Sequence, residues 1–282
     1  MSELSKKLYF ALFLLIFSAV LGLGLNSIIT NYAKENPRVV CNTNDKFSDG
    51  CLISYAVELK LNKKQFIGCY QSQKYAGQIT VDKKLGDDLG FIAAPGFFVA
   101  LQTDNTAYKG FYLGAVTENE ITSVIGDVSN LGLEQARYNW YVAQDAIWEK
   151  KIAEYLAPKA YSSSDYATQY NTLRGQINEY LKIYDIVRFE TGAEISIGSG
   201  QIKVFFFNDF GASETLNFID TIVRNVNANF TTRGLSELII KDYPNANKVA
   251  DSMSLALAAR CANEQDAYYD YFDKLLTLSE PK

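Results

Sequence analysis

Residues Ile202–Phe218 read IKVFFFNDFGASETLNF, and this stretch decides how the rest of the chain is interpreted. Its first part is an apolar run rich in Val and Phe, which is typical of a buried strand. The run stops at Asn208-Asp209-Phe210-Gly211, where a turn is expected, and a helical pattern then begins. The sequence therefore predicts a strand that enters a helix through a short turn, where many α/β proteins carry their functional groups.

This stretch resembles the first strand and active-site turn of the DsbA-like branch of the thioredoxin superfamily of thiol-disulfide oxidoreductases. That family typically reads F-S-D-F-x-C-P-Y-C-x-x-F; here Phe207-Asn208-Asp209-Phe210 stands in place of F-S-D-F, and Phe218 closes the motif. Ala212 and Thr215 occupy the positions of the two redox cysteines. The resemblance implies a degenerate site with no catalytic residue, in which four candidate peptide-binding residues remain: Phe210, Gly211, Ser213 and Glu214.

Two further segments resemble helices of the same family. Leu52–Gln71 is similar to its helical insertion, with Phe66 and Cys69 at the matching Phe and Cys positions. Lys248–Leu276 is similar to the first helices of that insertion, with Cys261 at the matching cysteine. The resemblance implies that Cys69 and Cys261 lie close enough to form a disulfide.

The segment Phe91–Leu101, FIAAPGFFVAL, is similar to the loop and strand that carry the cis-proline of the superfamily. Pro95 takes the proline position, and Ala94 replaces the usual Thr or Val. A proline that opens a strand removes no hydrogen bond from the sheet, so the placement is physically allowed. The resemblance adds Ala94 and Pro95 to the candidate peptide-binding residues.

The matching segments occur in reversed order along the chain. Residues 201–282 resemble the first half of the family's fold and residues 51–130 its second half, and neither half alone can cover a sheet. We therefore expect an α/β, thioredoxin-like (DsbA-like) sheet with a helical insertion, built by circular permutation, with the strand Val204–Phe207 beside Phe97–Leu101. A domain-swapped dimer, in which the halves pair between chains, is the alternative.

An almost uncharged apolar run, Leu8–Ile29, lies near the start of the chain and is about long enough to cross a membrane. A cleaved signal peptide is the rival interpretation, but the run is long and no A-x-A site ends it. Residues 1–31 are therefore expected to anchor the protein in the cell membrane as a single-pass helix. A polar loop over residues 32–50 would lead to an extracytoplasmic domain.

Residues 131–200 show another pattern, which predicts a helical hairpin and a linker. After Pro158, apolar residues from Tyr166 to Val187 recur at spacings of four and three. Thr191–Gly200 is punctuated by glycine, as in a linker. The apolar stripes suit a hairpin seam or, alternatively, a coiled-coil surface for a partner. The stripe before Pro158 comprises Leu133, Ala136, Trp140, Ala143, Ile147, Ile152 and Tyr155.

The chain has four cysteines, none in C-x-x-C spacing, so neither a dithiol couple nor an all-cysteine metal site is suggested. Cys41 and Cys51 bracket part of the polar loop. They would form a local disulfide in an oxidising compartment and remain unpaired in a reducing cytosol. The membrane anchor favours the oxidised state.

The 282 residues contain no histidine, which excludes Ser-His-Asp and Cys-His catalysis and the usual His-containing metal sites. A net charge of −5 without a basic cluster gives no support for nucleic-acid binding. No phosphate-binding or dinucleotide-binding glycine motif occurs. We therefore expect neither a cofactor nor a metal.

The function expected from the sequence is recognition. The chain would be a membrane-anchored pseudo-oxidoreductase that binds a protein or peptide partner, as a chaperone or a scaffold. One alternative is a thiol-disulfide oxidoreductase that uses unusual cysteines, which would make the protein an enzyme. The other is a structural subunit of a membrane complex, whose hairpin docks a partner.

Overall fold

The structure is a computed structural model, and it describes residues 41, 46–91, 94–114, 116–159, 161–180, 187–188, 195–211, 221–245 and 251–279. The chain divides into two units, 1–45 and 46–282. The membrane anchor predicted over 1–31 lies outside the described residues. Within the described ranges, no helix is long and apolar enough to cross a membrane.

The unit 46–282 is a mixed α/β structure with a six-stranded sheet. In chain order the strands are β1 Gly96–Gln102, β2 Ala107–Gly114, β3 Val187–Arg188, β4 Ile195–Gly198, β5 Ile202–Asn208 and β6 Ser236–Asp242. They lie side by side in the order β3-β2-β1-β5-β6-β4. Strands β5 and β6 are parallel, and the other neighbouring pairs are antiparallel.

Helices precede, cover and follow the sheet. They are α1 Asp49–Glu58, α2 Lys63–Gln71, α3 Ala76–Asp88, α4 Glu118–Leu131, α5 Leu133–Leu156, α6 Ser163–Tyr180, α7 Ser252–Asn263 and α8 Tyr268–Ser279. A further helical segment over 221–226 continues into the π-helical turn Asn227–Thr231. The helical spacing of apolar residues in Leu52–Gln71 is interrupted at Leu61-Asn62, which predicts a break between two helices. The break is confirmed, because α1 ends at Glu58 and Asn62 caps α2 by accepting a hydrogen bond from the Gln65 N–H.

The pairing of β1 with β5 joins the two parts of the chain in one sheet. Phe97 lies opposite Phe206 and Val99 opposite Val204, so the predicted neighbourhood of these strands is confirmed. Strands β1 and β2 come from residues 51–130, whereas β5 and β6 come from residues 201–282. The residue ranges 51–130 and 201–282 therefore contribute strands to the same sheet within a single chain.

The central strands are buried on both faces, which explains their nearly continuous apolar sequence. The rings of Phe97 and Phe206 stack with centroids 5.0 Å apart, and those of Phe98 and Phe205 lie 6.0 Å apart. Because side chains alternate along a strand, these two pairs occupy opposite faces of the sheet. Cross-strand aromatic pairs of this kind contribute about 0.2–1 kcal/mol each.

The predicted helical hairpin is present as α5 and α6, but its seam differs from the predicted stripe. Ile152 and Leu156 are buried against aromatic residues of the hairpin, whereas Ala143 and Ile147 are exposed. The reason is that α5 buries Leu133 and Ala136 near its start, where it packs against α4. At about 100° per residue, this face lies almost opposite the later one, so no single stripe continues along the helix.

The predicted end of the hairpin and the predicted linker each contribute a strand, which corrects the sequence-based assignment. Val187 lies in the edge strand β3 and not in a helix. Within the glycine-punctuated stretch, Ile195–Gly198 forms β4 and pairs with β6. Ile195 and Ile197 alternate around Ser196, which is a strand pattern, but the neighbouring glycines favoured the interpretation as a linker. Such short strands suit the edges of a sheet, where they limit pairing with other chains.

A disulfide between Cys69 and Cys261 connects α2 with α7 across a sequence separation of 192 residues. Their Cα atoms lie 5.7 Å apart, so the predicted proximity is confirmed. Cys41 and Cys51 are each disulfide-bonded as well. All four cysteines are among the described residues, and none is a free thiol.

We predict that replacing both Cys69 and Cys261 with Ala lowers the free energy of unfolding by about 3–5 kcal/mol, because the disulfide restricts a long loop of the unfolded chain. Ser72→Ala is a suitable control: it removes only the hydrogen bond that the Ser72 hydroxyl donates to the Cys69 carbonyl, so it should cost about 1 kcal/mol or less. Urea unfolding of the oxidised proteins measures both effects. Equal losses in the two variants would contradict the prediction.

Candidate functional site

The described candidate residues meet at one end of the sheet. Gly96 at the start of β1 pairs with Phe207 near the end of β5, so Pro95 and the turn after Asn208 lie at the same end. The Ala94–Pro95 peptide bond is cis, as the resemblance suggested. The candidates Ala212, Ser213, Glu214 and Thr215 lie outside the described residues.

The turn after β5 is held by its own aspartate. Asp209 is buried, and one of its carboxylate oxygens accepts a hydrogen bond from the Gly211 N–H at 2.9 Å. The other oxygen accepts from the Asn245 N–H at 3.1 Å. The Tyr243 N–H also donates to the Asn208 carbonyl at 2.7 Å. The turn is thereby tied to the segment after β6, and the Asp209 carboxylate is occupied by backbone donors.

Phe210 is buried beneath the site. Its ring contacts Phe272 at a centroid distance of 5.6 Å and Tyr268 at 6.2 Å, and 2% of its surface is exposed. The predicted peptide-binding role therefore does not extend to the Phe210 side chain. Ala94, Pro95 and Gly211 are half-buried and can reach a ligand.

The loop before β1 is shaped by a glycine. Gly96 packs beneath the Phe91 ring, where a Cβ atom would come within 1.8 Å of the ring. Phe91 in turn packs against Tyr112 and Phe207, each with a centroid distance of 4.4 Å. This packing places Ala94 against the apolar core. Within the described part of the chain, no hydrogen bond involves the backbone of Ala94.

Unpaired polar groups lie behind the turn. Asn208 has 1% of its surface exposed, and its side-chain amide makes no hydrogen bond of 3.5 Å or less to a described residue, although it interacts with the nearby Tyr268 hydroxyl. Oδ1 of Asp242, the residue opposite Asn208 on β6, and the Tyr268 hydroxyl also make no hydrogen bond of this length to a described residue. Burial raises the pKa of Tyr268, and the nearby Asp242 adds to this shift. Each unsatisfied group of this kind costs about 1–3 kcal/mol.

Four buried charges adjoin these groups. The Arg260 guanidinium donates to the carboxylates of Asp82 and Asp242, and Lys241 Nζ lies 3.3 Å from Asp82 Oδ1. Burial raises the pKa of Asp242, although Arg260 opposes this shift. Burial alone would lower the pKa of Arg260, but the two carboxylates outweigh it and raise that pKa. The two positive and two negative charges balance, so the cluster has the features of a structural network.

A surface groove of about 480 Å³ lies elsewhere, beside the Cys69–Cys261 disulfide. Its lining combines α2 and the residues flanking it with Glu264, and it contains none of the candidate peptide-binding residues. Among the described residues, no group of three or more Cys, Asp or Glu side chains is arranged to hold a metal ion.

No family model and no curated protein matches this chain. The site is therefore interpreted from its own geometry: an open backbone segment at Ala94, a turn fixed by Asp209, and no free thiol among the described residues.

The sequence did not identify the polar groups behind the turn. Asn208 was recognised as the end of the strand, but its burial was not expected. Arg260 gave a usable signal, because it is a lone charge within the apolar helix sequence LALAARCA. A buried charge is almost always paired, so this position would have indicated buried acidic partners without identifying them as Asp82 and Asp242.

We predict opposite effects for two adjacent substitutions in the turn. Asn208→Leu should leave the free energy of unfolding unchanged or raise it by up to about 2 kcal/mol, because the substitution removes a buried amide whose contact with the Tyr268 hydroxyl is longer than a full hydrogen bond. Asp209→Ala should lower it by about 1–3 kcal/mol, because two backbone donors lose their acceptor. Denaturant titrations give both values. A larger loss for Asn208→Leu than for Asp209→Ala would show that the amide has a partner.

A second prediction concerns the charge cluster. Arg260→Met should lower the free energy of unfolding by about 3–5 kcal/mol, because it leaves buried carboxylates uncompensated. Adding Asp242→Leu should recover part of that loss, since Asp82 and Lys241 then remain as a neutral pair. A double-mutant cycle measures the coupling. Simple addition of the two single losses would disprove the network.

Proposed function

We propose that the chain is a redox-inactive, DsbA-like member of the thioredoxin superfamily in circularly permuted order, which binds an extended peptide segment of a partner protein. The sheet order, with an antiparallel β1–β5 pair beside the parallel β5–β6 pair, supports this proposal. The observation that carries it is the Ala94 backbone, which makes no hydrogen bond within the described chain and lies next to Pro95 and the turn after β5.

The chemistry at Ala94 suits recognition of a peptide main chain. An amide N–H and a carbonyl that have no partner within the described chain can form strand-like hydrogen bonds with an extended segment. Apolar side chains under the loop hold this backbone in place. Recognition through the main chain would depend weakly on the partner's sequence, as a chaperone or scaffold requires.

Thiol chemistry has no support at this site. A disulfide exchange needs a thiolate that attacks a sulfur atom, and Ala212 and Thr215 cannot supply one. The four cysteines are all in disulfides, and Cys69 and Cys261 are buried. We therefore propose that the protein has no oxidoreductase activity.

The disulfides also support the proposed location. Structural disulfides persist in oxidising compartments and are rare in a reducing cytosol. We propose that residues 1–31 form a single membrane anchor and that the unit 46–282 lies on the outer side of the membrane.

The test is binding of an unfolded polypeptide, for which reduced, carboxamidomethylated and fluorescently labelled lactalbumin is a suitable probe. Fluorescence anisotropy should show binding to the full chain. Ala94→Trp should weaken it about tenfold or more, equivalent to about 1.4 kcal/mol, because the large ring covers the open backbone. Ile147→Trp changes an exposed position on the helical hairpin to the same residue and should leave the affinity unchanged.

The outcomes separate the alternatives. Equal affinity of wild type and Ala94→Trp would refute the proposed site. Loss of binding only in Ile147→Trp would favour the hairpin as the docking surface. Turnover by wild type in an insulin-reduction assay would contradict the loss of thiol chemistry.

A further inference from the structure

One modification motif in the chain is unrelated to the peptide site. Asn229-Phe230-Thr231 fits N-x-[ST] with a residue other than proline in the middle, and it is the single such motif in the 282 residues. This motif is the acceptor signal for N-linked glycans on proteins that enter an oxidising compartment. It lies in the π-helical turn Asn227–Thr231.

The acceptor side chain is at the surface. Asn229 is exposed, and its amide nitrogen donates to the Asn225 side chain one helical turn earlier. A glycan attached there would extend into solvent without displacing buried residues. The fold is therefore compatible with modification at Asn229.

The hydroxyl residue of the motif is in a different environment. Thr231 has 4% of its surface exposed, and its Oγ1 lies 3.3 Å from the Val226 carbonyl and 3.2 Å from the Ser236 hydroxyl. Phe230 between them is also buried. An enzyme that must contact both the amide and the hydroxyl cannot do so in this folded turn. Modification must therefore precede folding of the segment around 221–236.

We propose that Asn229 is an N-glycosylation site that is modified before the sheet is complete. The co-reactant is a lipid-phosphate-linked sugar donor. The amide nitrogen of Asn229 forms a bond to the anomeric carbon of the sugar and loses a proton, while the bond from that carbon to the phosphate oxygen breaks. The lipid phosphate leaves with the electron pair, and no oxidant or reductant is needed.

The glycan would lie at the opposite end of the sheet from the peptide site. Thr231 contacts Ser236 at the start of β6, and Ser236 pairs with Ile202 at the start of β5. The peptide site follows the other end of β5. At about 3.3 Å per residue, the seven residues of β5 separate the two ends by roughly 20 Å. A glycan at Asn229 would thus cover one end of the sheet and leave the end that carries the peptide site accessible.

The experiment uses the full chain isolated from the membranes of its natural host. Mass spectrometry of the proteolytic peptide containing Asn229, before and after enzymatic release of N-linked glycans, should show a glycan and then conversion of Asn229 to Asp. Asn229→Gln should abolish the modification, whereas Thr231→Ser, which keeps the hydroxyl, should retain it. Asn225→Gln is the matched control outside the motif and should also retain it.

The same spectra report the Cys69–Cys261 disulfide. An unmodified Asn229 in protein with this disulfide formed would overturn the proposal, and so would reduced cysteines, because the chain would then never enter an oxidising compartment. Equal acceptance of a glycan by the folded chain and by the reduced, unfolded chain in vitro would overturn the inferred order of events. Binding of the unfolded polypeptide at Ala94 is measured separately, so the two proposals can fail independently.

Discussion

The antiparallel pairing of β1 with β5 is the interaction on which the rest of this structure depends. It brings together strands that lie about a hundred residues apart in the sequence, and it places Pro95 beside the turn after Asn208. The disulfide between Cys69 and Cys261 connects helices from the same two parts of the chain. Backbone pairing, aromatic packing and a covalent bond thus all hold residues 51–130 against residues 201–282.

The interior behind the candidate site is unusually polar for the centre of a sheet. Arg260 compensates two carboxylates there, while the Asn208 amide and the Tyr268 hydroxyl interact with each other without forming a hydrogen bond of 3.5 Å or less to any described residue. Buried networks of this kind contribute little net stability compared with apolar packing, but losing one member is costly. Loss of one member of the charge cluster is therefore expected to destabilise the end of the sheet that carries the candidate site.

The sequence predicted the central strands, the α1–α2 break and the proximity of Cys69 to Cys261, because apolar runs, a helix cap and a family resemblance were visible locally. It did not predict β4, since glycines around Ile195–Gly198 concealed a short edge strand. It also misplaced the seam of α5, because that helix packs on different neighbours along its length. Burial of Phe210 depends on its tertiary contact with Phe272 of α8, which no local pattern encodes.

The late position of β5 has a consequence for synthesis. Strand β1 emerges long before the strand that covers its open edge, and pairings between distant residues form slowly because a large loop must close first. During that interval an apolar strand edge is exposed, which invites aggregation. In this order of strands, the edge of β1 stays without β5 until residues 202–208 have been synthesised, so a factor that prevents aggregation of the chain would have to act during that interval.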